Sequence, residues 1–312
     1  MEEIRVCLNA VLPIVLIMAA GYLSKRAGLL QEQDITRGNK IVFNIFIPLS
    51  IFQSIYRSDF STAVNGALLA FALLGVLAAV LLGALYTRLA VRDRKARSVV
   101  IQGIYRSNFL IIGYPLAQAL VPEADMSCVA VLAAFVVPLL NVLAVICLQV
   151  FNGQKMEPKK LLLSIVKNPL IIASAAALVF SGTGLSLPAP AASAVRSMAE
   201  VASPMMLFLL GGFFRFRGLL RQSQNLFRAV VGRLIAVPLI FLVLAWQLGF
   251  RGIEFAGLIG VFASSTGVSS FTMAQQMKGD AQLAGEIVVV TSMLCPLTLF
   301  CWSLLFKWLG VL

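Results

Sequence analysis

The chain has 312 residues, of which 60% are apolar and 12% are charged, and its formal net charge is +12. A soluble domain carries about 25% charged residues, so the composition excludes a water-soluble globular protein. The excess of Lys and Arg is typical of the cytoplasmic loops of a membrane protein, and we expect no nucleic-acid partner.

The sequence contains no histidine, and its five cysteines are scattered through apolar segments. Zinc sites that use histidine and catalytic triads that depend on it are therefore excluded. The chain also lacks a Walker-type phosphate-binding loop, which argues against ATP as an energy source. We expect neither a metal ion nor a cofactor, and we do not expect an enzyme.

Ten apolar runs follow one another along the chain, and each is long enough to cross a hydrocarbon core of about 30 Å as a helix. The predicted spans are Val6–Leu23, Lys40–Tyr56, Ala63–Tyr86, Ser98–Leu120, Met126–Phe151, Leu161–Ser181, Ala191–Phe214, Phe227–Gly249, Glu254–Met277 and Gln282–Leu309. The first run follows an acidic segment rather than a basic one, so it is expected to be an uncleaved helix and not a signal peptide. The fold class is therefore all-α integral membrane, multi-pass, with the lipid bilayer as its surroundings.

The connecting loops alternate in charge. Nineteen lysines and arginines lie in the loops that follow helices 1, 3, 5, 7 and 9, whereas four lie on the opposite side. Because cytoplasmic loops collect Lys and Arg, we expect both termini on the non-cytoplasmic side. This count assigns Arg228 and Arg233 to the loop after helix 7.

The second half of the chain repeats the first at a shift of 156 to 158 residues. The matched pairs are Pro13 and Pro169, Gly28 and Gly184, Pro48 and Pro204, Gly103 and Gly260, Gln118 and Gln275, and Pro138 and Pro296. The predicted repeats are residues 1–151 and 161–312, joined by a short cytoplasmic linker at 152–160. Each repeat holds five spans, so the second enters the membrane from the other side, and such inverted repeats are typical of secondary transporters.

Helices 4 and 9, the fourth of each repeat, carry polar residues and helix breakers at equivalent places. The candidate substrate-binding residues are Arg106, Ser107, Asn108, Gly113 and Pro115 in helix 4 and Ser265, Thr266, Gly267 and Ser269 in helix 9. Glycine and proline interrupt helical hydrogen bonding, and the N-termini of half-helices attract anions. The alternative is that small residues and hydroxyls only allow helices to pack closely.

Arg106 is the strongest single candidate for substrate binding, because it lies about 13 Å into helix 4 by the rise of an α-helix. A charge at that depth is costly and indicates a functional site, and a guanidinium matches a carboxylate. The alternatives are that Arg106 reaches the cytoplasmic surface or forms an ion pair with Glu286.

Three further polar groups lie within predicted spans. Arg196 and Glu200 are spaced four residues apart on helix 7 and could neutralise each other, although Glu200 could instead be a proton site. Asn141 in helix 5 either lines the binding site or packs between helices.

The chain resembles the auxin efflux carrier family, in its bacterial malate-permease-like form. The resemblance covers the whole chain and rests on LNAVLPIVLIMAAGYLSKRAGLL, NKIVFNIFIPLSIFQSI, RSNFLIIGYP and FASSTGVSS. Plant members have a long central loop, which is short here. Helix 9 has Thr272 where helix 4 has Pro115, so its break is expected to rest on Gly267 and the serines.

The resemblance implies a ten-helix fold similar to that of bile-acid symporters and sodium–proton antiporters, with helices 4 and 9 broken where they cross. It implies a scaffold of helices 1, 2, 6 and 7, a mobile transport domain of helices 3–5 and 8–10, and a homodimer. Asn108 would then face Ser265, Thr266 and Ser269 across the site.

We therefore expect a secondary transporter of the bacterial inner membrane that moves a small organic anion by alternating access of the elevator type. A proton or a sodium ion is the expected coupling ion. The competing expectation is a sodium-coupled symporter of the bile-acid type, which needs a dedicated cation site. A channel is disfavoured, because it does not need broken helices at one pseudo-symmetric point.

Overall fold

A computed structural model describes residues 2–56, 65–121, 126–151, 166–214 and 222–312, together with positions 123, 124 and 163. Within these residues the regular structure is helical, with no β-strand. Each of the ten predicted spans contains helix. The predicted linker at 152–160 lies outside the described residues.

We number the helices by predicted span. They are α1 (Glu2–Arg26), α2 (Glu32–Ile41, Val42–Phe46 and Ile47–Tyr56), α3 (Gly66–Ala90), α4 (Arg94–Tyr105 and Phe109–Leu120), α5 (Ser127–Phe151), α6 (Pro169–Thr183), α7 (Ala189–Phe213), α8 (Ser223–Gln247), α9 (Gly252–Ala263 and Ser269–Gln276) and α10 (Ala281–Trp308).

Five helices, α3, α5, α7, α8 and α10, are long and apolar enough to cross a membrane. The shorter helix α6 and parts of α4 and α9 are also apolar. Large apolar side chains face outward, as Leu81, Leu85 and Leu89 do along α3. Such a surface is unfavourable in water and matches hydrocarbon, so the protein is an integral membrane protein.

Helices α1 and α7 approach so closely that their backbones touch. A Cβ atom built on Gly21 would lie 1.9 Å from the carbonyl oxygen of Phe208, and one on Gly211 would lie 1.9 Å from that of Met18. Small residues allow such contact between helices in lipid. The last part of α2 packs against α6 and α7, so these four helices form one group.

The other helices pack around α4 and α9. The first half of α4 contacts α3, α5 and α8, and the first half of α9 contacts α5, α8 and α10. The side chains at these contacts are almost all buried, including all of Phe255–Ala263 on α9. The two broken helices therefore lie at the centre of this second group.

Three π-helical turns precede prolines. They are Val42–Phe46 before Pro48, Phe109–Gly113 before Pro115 and Gly232–Ala236 before Pro238. A proline ring clashes with the carbonyl group four residues earlier and cannot donate to it, and a π-turn widens the helix at that carbonyl. In α8 the carbonyl oxygen of Leu234 instead accepts from Trp302 Nε1 at 3.0 Å.

Arg228 and Arg233 lie within α8, as the predicted span Phe227–Gly249 implies, so the loop-charge count that included both is wrong. Arg233 is completely buried. Helix α9 is interrupted without a proline, since it stops at Ala263 and resumes at Ser269.

Candidate functional site

Helices α4 and α9 are both interrupted where they meet. The non-helical residues of the two breaks run antiparallel, with a bridge between Ser107 and Thr266. The Asn108 amide donates to the Ser265 carbonyl oxygen at 2.8 Å, and the Gly267 amide donates to that of Arg106 at 3.1 Å. Backbone groups released from one helix are therefore satisfied by the other, as a low-dielectric interior requires.

Glycines allow the two helices to cross at this distance. A Cβ atom built on Gly113 would lie 2.7 Å from the Cα atom of Gly260, and one on Gly267 would lie 3.0 Å from the Ser107 carbonyl oxygen. Any larger residue would force the backbones apart. The crossing thus explains why small residues recur in both helices.

In α9, hydroxyl groups stabilise the interruption of the helix, which a proline would otherwise cause. Thr266 Oγ1 donates to the Gly103 carbonyl oxygen at 2.9 Å, and the Thr266 amide donates to Thr291 Oγ1 at 3.2 Å. The Ser265 hydroxyl lies 3.3 Å from that of Ser292. These bonds hold the backbone out of the helix, so the break needs no proline.

A cavity of about 120 Å³ lies between the two breaks and helices α2, α5 and α7. Its polar wall comes from the breaks. Its remaining lining comprises Ile47, Ser50 and Ile51 of α2, Phe109, Leu110 and Ile111 of α4, Val137, Leu140 and Asn141 of α5, and Ala202, Ser203 and Met206 of α7. The cavity therefore lies between the two groups of helices, with polar groups on one side and mostly apolar groups on the other.

Arg106 lines this cavity and is 2% exposed. Its Nη2 donates to Asn141 Oδ1 at 2.6 Å and to Ser269 Oγ at 2.8 Å. Its Nη1 reaches Gln102 Oε1 at 3.3 Å and Met273 Sδ at 2.7 Å. All four partners are neutral, so the charge of the guanidinium is oriented but not compensated.

Ser107 and Asn108 also line the cavity and carry buried polar atoms without a hydrogen-bond partner. These atoms are Ser107 Oγ and Asn108 Nδ2, on residues that are 7% and 5% exposed. A buried, unpartnered polar group costs about 1–3 kcal/mol, and such groups recur at functional sites. Their position beside Arg106 is that of donors and acceptors for a bound solute.

The structure divides the predicted site residues into two sets. Arg106, Ser107, Asn108, Asn141, Gly267 and Ser269 line the cavity. Gly113, Ser265 and Thr266 lie instead at the crossing of the two helices, and Pro115 is exposed in the second half of α4. The predicted pair of Arg196 and Glu200 is formed on the surface of α7, at 3.0 Å. Neither Glu200 nor Glu286 lines the cavity.

The predicted alternative of an ion pair between Arg106 and Glu286 is not formed. The Glu286 carboxylate accepts from Gln282 Nε2 at 2.8 Å, one turn earlier on its own helix. Arg106 is instead held by the neutral groups described above. Among the described residues, no group of three or more Cys, Asp or Glu side chains could hold a metal ion.

Two polar residues near the crossing were not singled out from the sequence. Asn39 of α2 is fully buried and contacts the second half of α9, where Gln275 accepts from its Nδ2 and Thr272 Oγ1 donates to its Oδ1 at 3.2 Å. Arg233 of α8 is also fully buried and contacts the backbone of both broken helices. A basic residue five positions before Pro238 inside an apolar run was the signal for Arg233.

Comparison with known proteins gives two matches. A family model described as "Membrane transport protein" matches residues 6–303. A protein of Methanothermobacter thermautotrophicus, described as an uncharacterized transporter, is 23% identical over 300 residues, which cover 95% of this chain and 97% of that protein.

Proposed function

The chain belongs to the auxin efflux carrier family of membrane transport proteins, and from that premise we propose that it is a secondary transporter of a small organic anion, carried by alternating access. The observation that carries the proposal is the geometry of Arg106, a buried cation in a cavity where its hydrogen-bond partners are all neutral.

The electrostatics of the cavity favour an anion. The second half of α4 begins at Phe109 and the second half of α9 at Ser269, and both residues line the cavity. Each helix N-terminus carries about half a positive charge, which adds to the charge of Arg106. No Asp or Glu is among the described residues that line the cavity, so a bound carboxylate would supply the missing negative charge.

The hydrogen-bonding groups also match a carboxylate. The protein partners of Arg106 use its four Nη hydrogens, so Arg106 offers its Nε–H, and the unpartnered Asn108 Nδ2 and Ser107 Oγ add further donors. Carboxylate oxygens accept several such bonds at once. The volume of about 120 Å³ suits a small solute, and the apolar side chains of Ile47, Ile51 and Met206 would contact its carbon skeleton.

The position of the cavity supports alternating access. It lies between α2 and α7 on one side and the broken helices on the other. We propose that α1, α2, α6 and α7 form the scaffold, that α3–α5 and α8–α10 form a mobile transport domain, and that the two are built from inverted five-helix repeats spanning an inner membrane ten times. The scaffold would also form a homodimer. Movement of the transport domain would carry the cavity past the scaffold.

Uptake into proteoliposomes tests this proposal. Purified protein would be reconstituted and offered small mono- and dicarboxylates beside their uncharged amides, with imposed sodium, proton or no gradients. We expect saturable uptake of at least one carboxylate and none of its amide. Arg196→Gln, which changes an exposed arginine of α7, is the matched control and should transport normally.

The same assay separates the competing function. A sodium-coupled symporter of the bile-acid type would accumulate its solute only with an inward sodium gradient. Equal uptake of carboxylate and amide, or uptake only of neutral solutes, would overturn the proposed anion transport.

A further inference from the structure

Arg233 is a second buried arginine beside the crossing, and it does not line the cavity. It lies in the π-helical turn of α8, is 0% exposed, and is among the largest fully buried side chains. A buried charge that does not face the cavity needs another explanation, because it is costly inside a membrane protein.

The hydrogen bonds of Arg233 end on the backbone of both broken helices. Its Nε donates to the Ser264 carbonyl oxygen at 2.6 Å, and its Nη2 donates to that of Val261 at 2.9 Å and to Ser264 Oγ at 3.4 Å. Its Nη1 donates to the carbonyl oxygens of Tyr105 at 3.1 Å and Ile104 at 3.5 Å. These five bonds use all five N–H groups of a guanidinium.

The charge of Arg233 is matched by two helix ends. The first half of α4 ends at Tyr105 and the first half of α9 ends at Ala263, and the last carbonyl groups of a helix have no partner within it. Each C-terminus carries about half a negative charge, so the two together balance one guanidinium. Among the residues that the structure describes, no carboxylate contacts Arg233, so these carbonyl groups are its counter-charge.

The local shape of α8 brings Arg233 to this place. The π-turn that precedes Pro238 widens the helix at Gly232–Ala236. Gly232 packs against α4, where a Cβ atom would lie 2.7 Å from Ile104 Cγ1. The glycine therefore lets α8 approach, and the widened turn directs the next side chain between the two helix ends.

We propose that Arg233 is a built-in cation of the crossing: it holds the two helix breaks in register and occupies the carbonyl-lined position where an inorganic cation would otherwise bind. It is a positioning residue, since it acts on Arg106 and Asn108 through the backbone they belong to. This inference rests on the proposed transport function only in the part of its test that measures uptake. It implies that transport does not require sodium.

Thermal stability in detergent tests the cation role without any transport assay. Arg233→Ala removes the charge and leaves the carbonyl groups free, so its melting temperature should fall and should recover in part when guanidinium chloride is added at millimolar concentrations. Tetramethylammonium, which cannot donate hydrogen bonds, should not restore it. The matched control is Arg228→Ala, five residues earlier on α8, whose Nη1 donates to Asn225 Oδ1; guanidinium should not stabilise it.

Two conservative variants keep the test decisive if Arg233→Ala does not fold. Arg233→Lys keeps the charge, and Arg233→Gln keeps hydrogen-bond donors without it. We expect the lysine variant to be more stable and to transport faster, by about tenfold, because a hydrogen bond to a charged group stabilises more than a neutral one. Equal behaviour of the two variants would overturn the proposal.

Wild-type uptake completes the test. Uptake of a transported carboxylate should be the same in sodium, potassium or choline media, and sodium should not raise the melting temperature of the wild-type protein. A sodium requirement, or normal uptake and stability in Arg233→Ala, would overturn the role of Arg233. Failure of every carboxylate to be transported would count against the proposed function. The melting temperatures of the Arg233 variants would still test the role of Arg233.

Discussion

At the scale of single residues, the neutral surroundings of Arg106 decide what the cavity can bind. Asn141 accepts one of its shortest hydrogen bonds, at 2.6 Å. The amide orients the guanidinium without cancelling its charge. A carboxylate of the same shape at this position would cancel it.

Asn141→Asp should therefore weaken anion binding strongly while the protein stays folded. The new carboxylate would pair with Arg106 and repel a substrate carboxylate, which at about 5 Å and an effective dielectric constant of 20 costs about 3 kcal/mol, or roughly a hundredfold in affinity. Asn141→Ala should weaken binding less, because it leaves the positive charge in place. Equilibrium binding of a transported carboxylate measures both, and tight binding by the aspartate variant would contradict this account.

Ser107 offers a test that separates binding from folding. Its hydroxyl is buried without a hydrogen-bond partner in the folded protein, so Ser107→Ala removes an unfavourable group and should raise stability by about 1–3 kcal/mol rather than lower it. If the hydroxyl donates to a substrate carboxylate, the loss should be about 1.5–3 kcal/mol of binding.

Ser303 is the matched control for Ser107. Its hydroxyl is also buried without a partner, but it lies on α10 away from the cavity. Ser303→Ala should raise the melting temperature, as Ser107→Ala should, because it also removes a buried unpartnered hydroxyl, but it should leave the KM for uptake unchanged. An unchanged KM in Ser107→Ala would remove this hydroxyl from the binding site.

At the scale of the elements, the crossing of α4 and α9 depends on two glycines in contact. Gly113→Ala would place a methyl group 2.7 Å from the Gly260 Cα atom, and such overpacking costs about 1–3 kcal/mol. We expect a lower melting temperature and slower transport. Gly182→Ala in α6 is the control, since nothing lies within 4 Å of the added atom, and it should stabilise the helix by about 0.5 kcal/mol. Equal melting temperatures for the two variants would contradict the close crossing.

The sequence predicted the helices well and the interior of the site only in part. Apolar runs and helix breakers are local signals, so helix in all ten spans and the breaks near Asn108 and Gly267 followed from them. Whether a polar residue faces the cavity or the crossing depends on helix rotation and on contacts over long separations. Thr266 and Ser265 were therefore predicted in the site but build the crossing, whereas Arg233, although inside the predicted span Phe227–Gly249, was counted with the loop charges because basic residues are commonest in loops.

At the scale of the whole molecule, the charge distribution predicts the orientation of the chain in the membrane. Moving Arg228 and Arg233 from a loop into α8 lowers the count on the basic side but leaves its excess large. Alkaline phosphatase, which is active only outside the cytoplasm, should be active when it is fused after Leu312. A fluorescent protein that folds only in the cytoplasm should not fluoresce when it is fused at the same position. The opposite pattern would contradict an even number of spans with both termini outside.

The transport cycle proposed for the whole molecule places one solute between a scaffold and a moving domain. Asn39 of α2 contacts Thr272 and Gln275 of α9, so a polar contact joins the two proposed domains in this conformation. Movement of the transport domain would have to break it. The anion bound at Arg106 would move with the broken helices.

The central claim is that Arg106 binds the carboxylate that the protein transports, and counterflow in proteoliposomes tests it most directly. Vesicles loaded with an unlabelled carboxylate would be diluted into labelled carboxylate, with wild-type, Arg106→Lys and Arg106→Ala protein reconstituted in equal amounts and shown to be folded by thermal melting. We predict exchange by the wild-type protein, weak exchange by the lysine variant, whose ammonium lacks the planar group and the five N–H donors of a guanidinium, and none by the alanine variant. Wild-type exchange rates in a folded Arg106→Ala protein would contradict the account.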